Sequence, residues 1–360
     1  MRPFINLLEP EAVVQAFLRH PPQGFKTFLS TDGVPGFDTR FDLLTTAESK
    51  LRRIVMALPF YRYWRSMLQP LTCFIGTTVT EYAIFPRQTE PESVLAALKK
   101  RYSNKYSFLI VKDLPQSSPL LDACSNAYAD KLAVACEALG FILLEGQALA
   151  YVTIDFASID HFISRMSSGR RKDIRRKLRA RGGLEIEAVL CGSDRFRNPA
   201  LLEAYYALYL NVFRQSDVHF DLLSLDFFRD LLHDGSSRGI VFEYRYEGDL
   251  VGYNICFVAE GMLIDKYVGF QYPKARALNL YFVSWFHNLG YAVEHGLTHY
   301  VAGWTDPDIK GHLGAQFTFT RHAVHVRNGL LRAVLKRITR YFERDRVWKD
   351  AQPIGIAGRS

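Results

Sequence analysis

The chain of 360 residues has few of the features that mark the commonest chemistries. Its five cysteines, Cys73, Cys124, Cys136, Cys191 and Cys256, are odd in number, widely spaced and form no CxxC pair. That argues against a disulfide framework and against the usual zinc spacings. Each thiol reads as a small buried hydrophobe in a reducing compartment. No GxSxG elbow, Walker loop or dinucleotide fingerprint occurs. His295 and His299 are four apart, but Gly296 ends the helix between them, so a shared metal face is not expected. No uncharged apolar run approaches the roughly 18 residues that span a bilayer. Met1–Leu18 is broken by Glu9, Pro10 and Glu11 where a signal peptide would be continuously apolar. Low-complexity tracts and solenoid-type repeats are also missing. The expectation is a cytoplasmic, globular protein without a metal.

Net charge is scarce too, except in one place. The formal charge is +8, and Arg170–Arg181, with eight basic residues and one acidic among twelve, supplies +7 of it. Ile174 and Leu178 are four apart, which gives a helix an anchoring stripe while arginines cover the rest. Ser167 and Ser168 can cap its first amides, and Gly182–Gly183 can supply a left-handed stop. Like-charged neighbours on a helix repel by a few tenths of a kcal/mol per pair, so an anion is expected at this helix; the alternative is a solvated face. Arg171 and Arg175, four apart, can grip a diphosphate with forked guanidinium groups. Coenzyme A and nucleotide-linked sugars carry a diphosphate and a tRNA end carries a phosphodiester, so the donor stays open.

Length points to two domains, and nearly half the residues are hydrophobic. Helices are predicted over Glu11–His20, Ala47–Leu58, Pro91–Tyr102, Ala127–Leu139, Pro199–Phe213, Asp226–His233 and Ala277–His295. Strands are predicted over Thr77–Phe85, Tyr106–Val111, Leu184–Leu190, Tyr300–Gly303 and Phe317–Val326, with further strands in Phe141–Ile154 around Glu145–Gly146. Gly239–Tyr246, Leu250–Val258 and Met262–Val268 form a meander turned by Glu247-Gly248-Asp249 and Glu260-Gly261. The run Phe60–Arg65 offers flat faces for a base or sugar, or else a hydrophobic interface. Residues 329–343 form a basic amphipathic helix, which packs on the body or lies on an anionic membrane face.

Four segments, in order, resemble the Fem-type branch of the GNAT acyltransferase superfamily, the FemAB-like and BioF2-like proteins. They are Ser168–Arg176, the hairpin Gly248–Tyr253, the helix Asn279–Gly296, and Ala302-Gly303-Trp304-Thr305 through Lys310-Gly311-His312-Leu313-Gly314. About 170 residues carry the likeness. It implies an α/β (α+β) fold of tandem GNAT-like domains, with mixed, mostly antiparallel sheets flanked by helices. Residues 1–160 would be the first domain, 161–345 the catalytic one including the basic helix 168–181, and 346–360 a tail. It implies metal-free transfer of an acyl group from acyl-CoA, or of an aminoacyl group from tRNA, to a small-molecule amine of an amino acid, amino sugar or envelope precursor. Peripheral contact with the inner membrane face through 329–343 would fit the envelope-linked members.

That chemistry needs a neutral amine, a proton route and donors for an oxyanion. Lys310 matches the family's lysine and is the candidate oxyanion donor; the alternative is a surface lysine on a Gly-rich loop. Candidate bases are Asp265 and Tyr267, two apart on one face of a strand with Lys266 on the other, and Asp306 in the turn before Lys310. Trp304, Gly311, His312 and Gly314 are candidate substrate contacts. Gln271, Lys274, Arg276 and Asn279 stand where a Gly-rich pyrophosphate loop would precede a helix. Internal glycines are missing there, so side chains would have to replace backbone amides. A nucleic-acid-binding module without chemistry is the reading from another class.

Overall fold

The computed structural model describes residues 3–44, 53, 56–59, 61, 65–216 and 220–338. Most of the predicted helix Ala47–Leu58, most of the aromatic run Phe60–Arg65, and everything past Ile338 lie outside them.

The strands are β1 (Phe4–Ile5), β2 (Lys26–Leu29), β3 (Pro35–Arg40), β4 (Leu71–Ile75), β5 (Phe85–Pro86), β6 (Phe108–Gln116), β7 (Ile142–Thr153), β8 (Glu185–Leu190), β9 (Gly239–Tyr246), β10 (Asp249–Ala259), β11 (Met262–Phe270), β12 (His299–Gly303) and β13 (Gln316–Val326). The helices are α1 (Glu11–Arg19), α2 (Pro91–Tyr102), α3 (Ala123–Ala138), α4 (Ile159–Ser164), α5 (Ser168–Leu178), α6 (Pro199–Gln215), α7 (Leu225–His233), α8 (Lys274–Ala277), α9 (Leu280–Glu294), α10 (Pro307–His312) and α11 (Gly329–Ile338). Local chemistry explains their ends. The Asp122 carboxylate accepts from Ser125 N–H to start α3, and Gly140, at φ 80°, closes it. Both meander turns are two-residue loops with positive φ at Glu247-Gly248 and Glu260-Gly261, the geometry a twisted hairpin requires.

β1 and β5 make a small separate pair, and the other eleven strands form one sheet in the order β2-β3-β4-β6-β13-β7-β12-β11-β10-β9-β8. Its centre is an exchange: β13, from the second half of the chain, lies between β6 and β7 of the first, and β7 lies between β13 and β12. On either side stands a parallel pair, β4 with β6 and β11 with β12. The two halves therefore share one mixed, mostly antiparallel sheet. One core, with Phe37, Phe74, Tyr205, Phe227 and Tyr253, lies under α1, α6 and α7. On the opposite face α2 and α3 cover Leu109 and Val111, while α4, α5 and α9 cover Leu263 and Tyr300.

Several predicted elements differ. Of the predicted strand Thr77–Phe85 only Phe85 is in a strand, β5, and Thr77–Ile84 is a buried loop, because the Thr77 hydroxyl accepts from Val79 N–H at 3.2 Å and Thr80 N–H at 3.1 Å and folds the chain on itself. β6 does not end at Val111 but runs on to Gln116 with a bulge at Asp113, which has φ 58° and its N–H on His322 Nδ1 at 3.1 Å. Glu145–Gly146 is likewise a bulge inside one long strand. Ala148 pairs with Phe319 and Glu145 with Arg321, and Gly146 is needed because a Cβ would lie 3.0 Å from the Thr320 carbonyl. The basic helix has its N-cap at Ser167 without a side-chain bond. It ends by tightening into a 3₁₀ turn over Arg179–Gly183, not at a left-handed glycine. Its predicted anchor stands, with Ile174 fully buried and Leu178 packed on the same core.

Candidate active site

The parallel pair β11/β12 is in register only over Met262–Ile264 and His299–Val301. β11 then continues to Phe270 with no strand of the described residues on that side, so the two strands part at Asp265. A bulge sits at the parting point: Ile255 pairs with Tyr267 and Cys256 with Asp265, leaving Lys266 as the extra residue. The bulge overturns the simple alternation. Asp265 turns toward Asn288 and Tyr300 under α9, whereas Tyr267 turns to the other face, edge-on to Phe227 and Phe228 of α7. The two do not share a face.

α10, which follows β12, delivers Lys310 into the parting. Lys310 is 4% exposed, so the surface-lysine alternative fails, and its Nζ donates to Ala302 O at 2.6 Å. Burial lowers its pKa to about 8, against the opposing pull of Asp265, Glu81 and Asp306. Asp265 has both oxygens engaged. Asn254 Nδ2 reaches them at 3.0 and 2.9 Å, and Oδ2 also accepts from Asn288 at 3.0 Å and from the Tyr300 hydroxyl at 2.9 Å. Burial raises its pKa despite these donors. Asp306 is exposed and takes a left-handed φ of 55° at the N-cap of α10. The Tyr281 hydroxyl, in the first turn of α9, is buried without a partner and feels the charges of Asp306 and Asp265.

The basic helix runs beside this parting. At its start Arg170 donates to Gly311 O at 2.9 Å and to His312 O, holding the helix that bears Lys310. Near its end the Lys177 ammonium sits 3.6 Å over the Phe282 ring, in the first turn of α9. Asp173 is paired with Arg176 and Lys177 and lies 3.4 Å from His312 Nε2; these donors lower its pKa to about 2. Arg171 donates to Ser164 O and Met166 O, which ties up its guanidinium at the end of α4. Arg175 is exposed.

The remaining candidates are placed as follows. Trp304 is half-buried and edge-on to Tyr82 at 6.4 Å. Gly314 has φ 93°, and a Cβ there would lie 2.7 Å from the Phe162 ring. Gln271 has its N–H on Val251 O and a buried, unpartnered Oε1. Lys274 pairs with Asp249 at 2.8 Å. Arg276 holds Gln215 at 3.0 Å and covers Tyr272. Asn279 takes the left-handed conformation, φ 50°, before α9. Lys310, Asp265 and Asp306 are thus brought together, with the basic helix alongside, and Tyr267 is not.

Residue-level reading of the sequence missed a second ionic group at the bulge. The Lys266 ammonium bridges Glu9 Oε1 at 2.9 Å and Glu81 Oε1 at 2.6 Å, all three side chains being at most 7% exposed. Burial pulls the Lys266 pKa down, but the two carboxylates outweigh it and hold it above the ordinary lysine value. A lysine amid an apolar strand was the available signal, since a buried ammonium needs an acid. Among the described residues no cluster of three or more His, Cys, Asp or Glu could hold a metal. None of their helices is long and apolar enough to cross a membrane.

The site thus joins a mixed sheet with a parting parallel pair, a lysine buried in the parting and a basic helix beside it. Residues 168–311 match the family model described as an acetyltransferase (GNAT) domain, so this part of the chain is an acyltransferase domain of GNAT type. No curated protein matches the chain. Among solved structures, the C-terminal domain (DUF2156) of a protein assigned as a lysylphosphatidylglycerol synthetase from Agrobacterium fabrum superposes with a TM-score of 0.54. It is 11% identical, over 91% of this chain and 94% of that one. L-PGS from Bacillus licheniformis gives 0.54 at 11% identity, over 94% and 98%. FemX gives 0.49 at 12%, over 94% and 100%. The likeness to the first two structures is one of fold, and it extends over both halves.

Proposed function

We propose that the chain is an N-acyltransferase that moves an acyl group from a CoA thioester to an amine of an amino acid, amino sugar or envelope precursor. The single observation that carries this reading is the Lys310 ammonium, buried where β12 leaves β11 inside a GNAT domain. Among the described residues the β12-side edge of 265–270 has no partner strand, and an amide-bearing carrier arm can bond to such an edge as a strand would. With a pKa of about 8, Lys310 is mostly protonated at neutral pH. A carbonyl set beside its Nζ gains a donor as it becomes an oxyanion, in a site where burial strengthens that contact. The basic helix and α8, with Arg175, Lys274 and Arg276, supply cations for the carrier's phosphates. Trp304 and the α10 turn, from Gly311 and His312 to Gly314, would border the acceptor. The catalytic unit on this reading is 161–345, with 1–160 forming the facing wall.

A second reading, an aminoacyl-tRNA donor, is favoured by the exposed Lys172, Arg175 and Arg176 on the basic helix and Arg179 in the 3₁₀ turn after it, more cation than one diphosphate needs. The name of the Agrobacterium fabrum protein, a lysylphosphatidylglycerol synthetase, suggests an aminoacylated lipid as one product to test. Contact of α11 with a membrane face belongs with that reading. The deciding experiment is a panel of acetyl-CoA, longer acyl-CoAs and charged tRNAs against L-lysine, glucosamine and phosphatidylglycerol vesicles, with mass spectrometry for copurifying CoA. Consumption of a donor with N-acylated product is expected. Salt-sensitive RNA binding with no donor consumed would leave only a binding module.

A further inference from the structure

Three carboxylates act on Lys310: Asp265 on β11 at the parting, Asp306 at the N-cap of α10, and Glu81, which is bonded to Lys266 of the bulge next to Asp265 and precedes Tyr82, edge-on to Trp304. Asp265 has both oxygens occupied by Asn254, Asn288 and Tyr300, and Asp306 is exposed. Glu81 alone of the three combines burial, at 1% exposure, with an unpartnered oxygen, Oε2. Its other oxygen is fixed by Lys266 at 2.6 Å. Glu9 is its support: Glu9 Oε1 accepts both Glu81 N–H at 2.8 Å and Lys266 Nζ at 2.9 Å, and so sets backbone and side chain together.

We infer that Glu81, a residue of the first half of the chain, is the base that receives the proton of the acceptor amine in the site of the second half. The assignment rests on the acyl-transfer reading. An acceptor arriving as R–NH₃⁺ gives one proton to Glu81 Oε2, which becomes the neutral acid. The freed lone pair forms the N–C bond to the donor carbonyl, whose oxygen takes the negative charge beside Lys310. Collapse breaks the C–S bond of a thioester, or the C–O bond of an ester donor. The leaving group takes up the second amine proton, and Glu81 returns its own to solvent. Burial, partly offset by Lys266, raises the pKa of Glu81, which suits an acid that must hold a proton briefly. A base donated by one half to the site of the other also gives the shared sheet a purpose, since only a rigid joint keeps the two in register.

The test uses the full chain, the donor consumed in the panel, and two acceptors: the panel amine that wild type acylates fastest, and hydroxylamine, which is already unprotonated at neutral pH and needs no base. Glu81→Gln is expected to lose on the order of 100-fold or more in kcat/KM with the amine, the usual worth of a general base, and to keep hydroxylamine transfer within about threefold. Should Glu81→Gln not fold, Glu81→Asp carries the same comparison, slowing the amine and sparing hydroxylamine. An equal loss with both acceptors overturns the assignment and makes Glu81 structural. Wild type inactive with both acceptors and every donor overturns the acyl-transfer reading itself.

Discussion

Arg170 donates to the carbonyl oxygen of Gly311 at 2.9 Å, across 141 residues of sequence, and thereby ties the basic helix to the short helix that carries Lys310. The most basic stretch of the chain thus acts first as a brace. Arg170→Ala leaves the carbonyls of Gly311 and His312 without this donor and is expected to cost about 1.5–3 kcal/mol, the range for bonds to charged groups. A fall in kcat should accompany it as α10 loosens. Arg170→Lys should recover only part, because an ammonium lacks the guanidinium fork. Urea denaturation and steady-state rates measure both effects.

The Lys310 pKa of about 8 predicts the alkaline limb of the rate. If the ammonium stabilises the oxyanion, kcat should decline as pH rises through about 8 and the proton leaves. Lys310→Arg, which stays protonated, should be slower at pH 7 but free of that limb. An unchanged limb in the arginine variant would assign it to another group.

The same lysine should weaken the fold. Its pKa is lowered from 10.5 to about 8, so between those values the unfolded chain holds more protons and stability rises with pH. Below about 8 both states are charged and the full penalty applies, about 3 kcal/mol for a shift of this size. Lys310→Met is therefore expected to be inactive yet more stable than wild type at pH 7, by roughly 2–3 kcal/mol. The advantage should shrink toward pH 10.5. Parallel denaturation curves at pH 7 and pH 10 measure the change.

Gly314 was singled out as a substrate contact, and its backbone gives it a structural demand as well. Its φ of 93° and the 2.7 Å approach to Phe162 predict that Gly314→Ala costs roughly 2–4 kcal/mol through strain and overpacking. Thermal unfolding would show it. A variant of wild-type stability would return Gly314 to a purely substrate-facing role.

Much of the second half was legible because its signals are local. Alternation marked β9 to β11, paired glycine turns marked the meander, and the spacing of Ile174 and Leu178 marked the buried stripe of the basic helix. The family pattern around Lys310 was legible as well, although a lysine flanked by Asp-Pro-Asp and glycine reads locally as a surface turn. The loop Thr77–Ile84 was misread because threonine hydroxyls bonded to nearby amides cancel a strand that β-branched residues otherwise favour, and this hid Glu81. The face of Asp265 and Tyr267 was misread because a bulge adds one residue to a period of two.

By itself, the sequence determined the order of most elements, the alternation of strands and helices and the basic helix, since each depends on near neighbours along the chain, while the GNAT reading came from the likeness of four segments to a family. Only the tertiary structure decided that β7 and β13 exchange places between the halves, that Lys310 is buried, and that Glu9, Glu81 and Lys266 meet. Those facts depend on which distant segments pair and on how far water is excluded, and neither is written in any local pattern of residues.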